Sequence, residues 1–333
     1  MMKCVRMFAV AVAAVMLFGG SAIAKTTWDF YSFLPVSHPV VVHYQKFADD
    51  VRKRTNGELE IVVRPAGELP YSPTEGIRVF GRGQVPIGGM NAAFIQGSAP
   101  LLNIFGLPFL VQTYEDYDKA WKAIGPTQAE MLKKEGIVLL GHFSWPPQEI
   151  WGTGNAPSSM AGVAGLKIRT SSPHQTAMLT RMKASGITIA TAEVPVALQR
   201  GVVNGVMTAG YNARGSKWGE FLDWGYLLHE HMAGPHYVVA NERAFNRLSA
   251  ELQGQLRDEA EKLGARIHAD MNNNESSALK DLVATYNITL VEPSAADRKQ
   301  MLDMMVPYWE EWAKQQGAEG ERQLAILRKA MGR

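Results

Sequence analysis

The sequence is poor in cysteine and has no apolar stretch long enough to span a membrane. Its single cysteine, Cys4, precedes an apolar run at residues 7–18 of the 333-residue chain. Once that segment is removed, the chain can form no disulfide and no thiolate metal site. A bilayer-spanning helix needs about 20 apolar residues, so the run is also too short for a permanent anchor. Stability must therefore come from a hydrophobic core.

Motifs of several enzyme classes are also missing. The sequence contains no Walker loop, no dinucleotide glycine fingerprint, no HExxH zinc pair and no Gly-x-Ser-x-Gly elbow. His229, His231 and His236 lie close together in sequence, but residues two apart do not share a helical face. We therefore expect no catalytic residue, no cofactor and no bound metal. An enzyme of unknown type remains an alternative, which turnover of a bound ligand would reveal.

The N-terminus has the pattern of a secretory signal peptide. Lys3 and Arg6 precede the apolar run, and Ala22-Ile23-Ala24 supplies the small residues of a cleavage site. We expect cleavage after Ala24 and export to the periplasm. Loss of the two basic residues reduces the formal net charge from +2 to zero. A neutral surface offers no electrostatic footprint for nucleic acid.

Strand and helix patterns alternate along the first half of the chain. Residues 26–30 have strand character, residues 39–56 place apolar side chains at helical spacing, and residues 58–64 alternate apolar and polar side chains. Further patterns predict a helix over residues 73–83 and another over residues 114–136. This alternation predicts an α/β fold with largely parallel sheets.

A second unit with the same layout begins after Trp145-Pro146-Pro147. It contains strand-like residues 166–169, a helical segment at residues 174–184 and a second strand-like segment at residues 187–190. Helix-forming residues then dominate residues 242–286, where two glycines and three consecutive asparagines are candidates for a bend or a break. A helix of that length can span both units.

Arg169 lies where ligands collect in α/β proteins. It ends a strand-like segment and is followed by Thr170-Ser171-Ser172-Pro173, and ligands bind at the carboxyl ends of strands in open α/β sheets. A guanidinium group binds a carboxylate through two parallel hydrogen bonds, which lysine cannot reproduce. Spacing alone nevertheless favours an ordinary surface or ion-paired arginine.

Four segments of the chain carry a family pattern. They are Phe47-Ala48-Asp49-Asp50-Val51 with Asn56-Gly57-Glu58-Leu59-Glu60-Ile61, Phe105-Gly106-Leu107-Pro108-Phe109, Gly165-Leu166-Lys167-Ile168-Arg169, and Glu193-Val194-Pro195-Val196-Ala197-Leu198-Gln199-Arg200-Gly201-Val202-Val203-Asn204-Gly205. Together they resemble the extracytoplasmic solute-binding proteins of tripartite ATP-independent periplasmic (TRAP) transporters. The third and fourth segments, in this order and spacing, are specific to that family.

The resemblance implies a periplasmic binding protein fold, with two α/β domains around a hinged cleft, crossing strands and a long helix that backs both domains. It implies a signal peptide at residues 1–24, a first domain at residues 25–148 and about 236–275, and a second domain at residues 149–235 and about 276–333. Arg169 becomes the expected carboxylate-binding residue. The implied partners are a small carboxylate ligand and the membrane permease subunits, with the receptor a monomer or a homodimer.

Departures from the sialic-acid-binding members of this family suggest the ligand. Glu149 and Phe94 occupy positions where those proteins carry arginine, Asn91 stands where they carry glutamate, and Thr208 stands where the family carries asparagine. We therefore expect a monocarboxylate with an aromatic or apolar body, held between aromatic walls, with Glu149 meeting an amino or ring N–H group. An amino-acid or compatible-solute zwitterion, a C4-dicarboxylate and a sugar acid remain alternatives. The predicted ligand-binding residues are Arg169, Asn91, Phe94, Glu149, Tyr211, Tyr31, Tyr71, Trp145, Ser172, Thr208 and Asn212.

Overall fold

The computed structural model describes residues 25–229 and 231–333. The expected signal peptide at residues 1–24 lies outside these residues. The described residues form eleven strands: β1 (Thr26–Tyr31), β2 (Leu59–Arg64), β3 (Ile87–Asn91), β4 (Ile137–Ser144), β5 (Glu149–Gly152), β6 (Lys167–Thr170), β7 (Ser185–Thr188), β8 (Gly205–Thr208), β9 (Trp224–Tyr226), β10 (Pro235–Asn241) and β11 (Thr289–Val291).

The same described residues form eleven α-helices: α1 (Pro39–Arg54), α2 (Gly76–Gly81), α3 (Ala92–Ile95), α4 (Tyr114–Lys134), α5 (Pro173–Arg181), α6 (Val194–Gln199), α7 (Gly210–Gly215), α8 (Glu242–Asn246), α9 (Ala250–Tyr286), α10 (Ala295–Gln315) and α11 (Gly317–Met331). The strands form two sheets, in the orders β2-β1-β3-β10-β4 and β11-β9-β5-β8-β6-β7. The expected α/β class is confirmed. Within the described chain no helix is both long and apolar enough to cross a membrane.

The chain crosses between the two sheets at antiparallel strands. It leaves the first sheet after β4 and enters the second at β5, which pairs antiparallel with β8 and β9. It returns from β9 to β10, which is antiparallel to β3 and β4. The pairs β1–β2, β1–β3, β6–β7 and β6–β8 are parallel. Each sheet is therefore mixed, with antiparallel pairing at the strands that connect the two units.

Apolar side chains of the sheets are buried in hydrophobic clusters. In β2, Leu59, Ile61 and Val63 are buried while the residues between them are partly exposed, as the alternation in the sequence predicts. Burying each such side chain contributes roughly 1.5–3 kcal/mol. One core cluster surrounds the first sheet, and two further clusters surround the second. The C-terminal helices α10 and α11 pack into the larger of the two clusters around the second sheet.

Helix α9 runs without interruption through 37 residues, a length of about 55 Å at 1.5 Å per residue. Its N-terminal part packs on α1 and β4, and its C-terminal part packs on α7. Neither the two glycines nor the three consecutive asparagines interrupt the helix. A Cβ atom at Gly264 would approach the His142 carbonyl oxygen to 2.4 Å, and one at Gly141 would approach the Ala260 carbonyl oxygen to 2.5 Å. Glycine is needed at both positions because helix and strand backbones lie in contact.

Candidate functional site

A narrow cavity lies between the two sheets, at the carboxyl ends of β3, β6 and β8. Asn91 is the last residue of β3, Thr208 is the last residue of β8, and Arg169 is next to last in β6. The free space within the cavity is about 20 Å³, close to what one water molecule requires. The cavity is lined by Phe33, Asn91, Phe94, Trp145, Gln148, Arg169, Ser171, Thr191, Thr208, Asn212 and Ala233.

Arg169 is a buried cation with unused hydrogen-bonding capacity. Only 2% of its surface is exposed. Its Nε atom donates to the carbonyl oxygen of Ile189 at 2.8 Å, but its buried Nη2 atom has no hydrogen-bond partner among the described residues. Burial lowers the pKa of Arg169 to about 9. A buried charge of this kind is costly unless it pairs with an opposite charge or a strong hydrogen-bond acceptor. The guanidinium group can therefore bind an anion.

Two aromatic rings hold the guanidinium group in place. The Arg169 Cζ atom lies 5.6 Å from the ring centroid of Phe94 and 5.3 Å from that of Trp218. Contacts at these distances allow cation–π attraction, which strengthens when the cation is desolvated. Phe94 is part of α3 beside the first sheet, whereas Trp218 follows α7 in the second unit. The two units therefore contribute one ring each.

Polar side chains of the cavity retain free donors and acceptors. The Asn91 Oδ1 atom accepts the backbone N–H of Ala93 at 2.9 Å and so caps α3, which leaves its amide N–H groups to donate. The Thr208 hydroxyl oxygen accepts from Asn212 Nδ2 at 2.7 Å, so its hydrogen is available to an acceptor. Gln148 Nε2 donates to the Pro146 carbonyl oxygen at 2.8 Å, which leaves its side-chain oxygen. These groups can bind neutral oxygen and N–H groups of a ligand.

Aromatic rings form one wall of the cavity. The ring centroids of Phe33 and Phe94 are 5.3 Å apart, and those of Phe33 and Trp145 are 6.5 Å apart. Trp145 Nε1 donates to His236 Nδ1 at 3.3 Å. With Nδ1 accepting, the neutral His236 ring carries its hydrogen on Nε2, which lies 3.1 Å from the Tyr44 hydroxyl. The indole N–H is thus engaged away from the cavity.

Five predicted ligand-binding residues lie outside this lining. The Ser172 hydroxyl caps α5 by accepting the Gln175 N–H at 3.2 Å. The Tyr211 hydroxyl donates to Asp270 at 2.5 Å. Tyr31 donates to the carbonyl oxygen of Tyr71 at 3.0 Å, and both tyrosines line a separate groove of about 470 Å³ that shares Phe33 with the cavity. The fifth, Glu149, has its own environment.

Glu149 is buried next to the backbone of another segment. Its Oε2 atom accepts the backbone N–H of Leu228 and, at 3.1 Å, that of His229. Burial raises the pKa of Glu149 to about 8, although both N–H groups favour the charged form. Backbone N–H groups therefore hold the Oε2 atom, and Glu149 is not part of the cavity lining.

The cavity also includes residues that were not predicted: Phe33, Gln148, Ser171, Thr191 and Ala233. Two of these follow strand ends, since Phe33 comes two residues after β1 and Ser171 comes directly after β6. Applying the strand-end argument to every strand would have selected them. Thr191 and Ala233 carry no comparable signal, because small side chains in loops acquire a role only when distant segments pack together.

Comparison with known proteins identifies the family. The family model described as bacterial extracellular solute-binding protein, family 7 (DctP), matches residues 30–316. The chain belongs to this family. Its members are the extracytoplasmic receptors of TRAP transporters, periplasmic proteins that bind small carboxylates for delivery to a membrane permease. The resemblance proposed from the four segments is confirmed, and the family consists of receptors rather than enzymes.

Solved structures of this family share the fold over most of the chain. DctP7 of Bordetella pertussis, a receptor that binds pyroglutamic acid, is 28% identical with a TM-score of 0.85, and the alignment covers 91% of this chain and 100% of that one. A marine metagenome TRAP solute-binding protein specific for pyroglutamate is 26% identical with a TM-score of 0.85, covering 92% and 99% of the two chains. The 2,3-diketo-L-gulonate-binding periplasmic protein YiaO of Escherichia coli is 25% identical over 261 residues, covering 77% of this chain and 78% of YiaO.

Proposed function

We propose that this receptor binds a small monocarboxylate with a flat body of about one ring, and that Arg169 binds the carboxylate. The observation that carries this proposal is that Arg169 lines the cavity while its buried Nη2 atom has no hydrogen-bond partner among the described residues. A carboxylate there would complete the hydrogen bonding of Arg169 and neutralise its charge. The bound solute would then be delivered to the permease subunits of a TRAP transporter.

The charge of the cavity supports a single carboxylate. Arg169 is the one cationic side chain among the described residues that line it. A dicarboxylate would bring a second buried negative charge without a cation beside it, which is costly in a desolvated site. The other polar side chains are amides and hydroxyls, and they suit neutral oxygen or N–H groups on the body of the ligand.

The shape of the cavity supports a flat, compact body. The aromatic wall of Phe33, Phe94 and Trp145 suits a planar group, and the narrowness of the cavity favours a compact body. Two solved relatives at 28% and 26% identity are described as binding pyroglutamate, which has one carboxylate and one five-membered lactam ring. We therefore place L-pyroglutamate first among the candidates. The lactam would use the Asn91, Gln148 and Thr208 groups.

Calorimetry with a panel of ligands tests this proposal. We expect L-pyroglutamate to bind most tightly, ahead of an indole-bearing acid, ectoine, a C4-dicarboxylate and glucuronate. The protein should first be unfolded and refolded, because binding proteins can retain solute through purification, and the released solute should be identified by mass spectrometry. Tight binding of glucuronate or of a C4-dicarboxylate, with no heat from any compact monocarboxylate, would refute the proposed ligand class.

A further inference from the structure

A carboxylate on the long helix lies between the two units, some distance from the cavity lining. Asp270 Oδ2 accepts the hydroxyl hydrogen of Tyr211 at 2.5 Å, and the same oxygen lies 3.1 Å from His43 Nε2. Tyr211 belongs to α7, whereas His43 belongs to α1. Asn274 fixes the carboxylate further, since its Nδ2 atom donates to Asp270 Oδ1 at 2.8 Å. One side chain of α9 thus connects helices that pack on different sheets.

Asp270 lies where α9 passes from one unit to the other. On its N-terminal side, Gly264 contacts β4 and Arg266 pairs with Asp50 of α1 at 3.3 Å. On its C-terminal side, the Glu275 carboxylate accepts the backbone N–H groups of Gly210 and Tyr211 at 2.7 and 2.8 Å. The N-terminal part of α9 is therefore attached to the first unit, and the C-terminal part is attached to α7.

Tyr211 itself crosses the boundary between the units. Its ring belongs to the core cluster around the first sheet, whereas Ala213, two residues later, belongs to a cluster of the second. The next residue, Asn212, lines the cavity. The ring of His38, at the N-cap of α1, packs against Tyr211 with centroids 5.8 Å apart. Tyr211 is thus adjacent to a cavity-lining residue and in contact with α1 of the first unit.

We propose that Asp270 is a positioning residue that retains the bound solute, because it joins Tyr211 of the second unit to His43 of the first when the cleft is closed. This role rests on the proposed function, which supplies the ligand that Asp270 helps to retain. The carboxylate is partly desolvated, and hydrogen bonds from Tyr211, His43 and Asn274 outweigh its burial and hold the pKa of Asp270 below its ordinary value. The group is therefore charged at neutral pH, and charge-assisted hydrogen bonds are stronger than neutral ones.

The kinetics of solute release test this role. We expect Asp270→Ala to release L-pyroglutamate about tenfold faster than the wild type, as the loss of one charge-assisted hydrogen bond would produce. The association rate should change little, because variants of one binding site differ mostly in their dissociation rates. Asp270→Asn should release the solute more slowly than Asp270→Ala, since its amide oxygen still accepts from Tyr211. Stopped-flow tryptophan fluorescence measures both rates.

A matched control lies on the same helix. Asp281 pairs with Arg214 of α7 at 2.6 Å but is 57% exposed and does not contact α1. Asp281→Asn should therefore leave the release rate within about twofold of the wild type, as expected for an exposed ion pair. Equal release rates for Asp270→Ala and Asp281→Asn would overturn the proposal. Tyr211→Phe combined with Asp270→Ala should be no worse than Asp270→Ala alone, since both remove the same bond.

A ligand-independent measurement separates this proposal from the choice of ligand. The one cysteine of the sequence, Cys4, lies within the expected signal peptide, so Val42→Cys and Val196→Cys allow spin labels at exposed positions of α1 and α6. Without any solute, Asp270→Ala should shift the distance distribution towards longer, open distances, with thermal unfolding confirming that the variant is folded. If L-pyroglutamate does not bind the wild type, this shift still supports the proposal that Asp270 holds the two units together. Identical distance distributions in the variant and the wild type still overturn it.

Discussion

Arg169 and Glu149 are an ionisable base and an ionisable acid buried in the same sheet, and their hydrogen bonding within the protein differs. They lie on β6 and β5, with β8 between them, and at most 2% of either residue is exposed. The Glu149 carboxylate accepts two backbone N–H groups, whereas Arg169 Nη2 has no partner among the described residues. Both residues were predicted to bind ligand. Burial alone therefore does not distinguish the two residues, which differ in the hydrogen bonds that the protein supplies to them.

This contrast predicts the largest effect for Arg169. Arg169→Ala should weaken binding of L-pyroglutamate by about thirtyfold to several thousandfold, because removing one partner of a buried charge pair costs roughly 2–5 kcal/mol. Arg169→Lys should also bind poorly, since the planar, bidentate fork is lost. Arg200→Ala, at an exposed arginine of the same unit, serves as the control in calorimetry. Unchanged affinity in Arg169→Ala would remove this residue from the site.

The contrast also predicts that Arg169 costs stability when no solute is bound. Replacing an unpaired buried charge by an apolar side chain of similar length is neutral or stabilising. Arg169→Met should therefore unfold at the same urea concentration as the solute-free wild type or at a higher one. A large loss of stability would show that the guanidinium group holds the fold together instead of serving the ligand.

Glu149 should affect the pH dependence of stability more than the affinity. Its pKa of about 8 in the folded protein exceeds the ordinary value of 4.5, so the folded state binds more protons than the unfolded state between these values. The free energy of unfolding should consequently fall as pH rises from about 4.5 to 8. In Glu149→Gln this fall should be smaller, although Glu275, with a pKa raised to about 7 by burial, leaves a residual slope.

Urea unfolding at pH 5 and pH 8 measures this difference, and calorimetry at pH 7 supplies the comparison with Arg169. Glu149→Gln should bind L-pyroglutamate within a few-fold of the wild type, because its carboxyl group contacts backbone N–H groups outside the cavity. A hundredfold loss of affinity with an unchanged pH slope would instead assign Glu149 to the ligand.

Elements with a clear local pattern can be predicted from the sequence. The bounds of three such elements agree with expectation to within a few residues: the strand at residues 58–64, the helix at residues 114–136 and the strand that ends near Arg169. Other elements were displaced: the strand expected at residues 187–190 is β7 at Ser185–Thr188, and part of the helix expected at residues 73–83 is a 3₁₀ turn. Short elements shift because tertiary packing outweighs weak local preference.

The rest of the site depends on contacts between residues far apart in sequence. Glu149 contacts backbone groups near residue 229, Trp145 is oriented by His236, and Ala233 reaches the cavity only because β10 returns to the first sheet. None of these partners has a motif. The position of Arg169 in the cavity lining was predictable because its strand and family pattern are local, whereas the backbone hydrogen bonds of Glu149 required the three-dimensional structure.

An effect on affinity smaller than that of Arg169→Ala is expected for the aromatic rings beside the Arg169 guanidinium group. Phe94→Leu retains an apolar side chain but removes the ring 5.6 Å from the Arg169 Cζ atom. A desolvated cation–π contact is worth about 0.5–2 kcal/mol, so we expect affinity for L-pyroglutamate to fall between about twofold and thirtyfold. Phe33→Leu is the matched control, because Phe33 lines the same cavity and packs edge-on against Phe94. Equal losses in both variants would mean that the rings serve as an apolar wall for the ligand and do not act through Arg169.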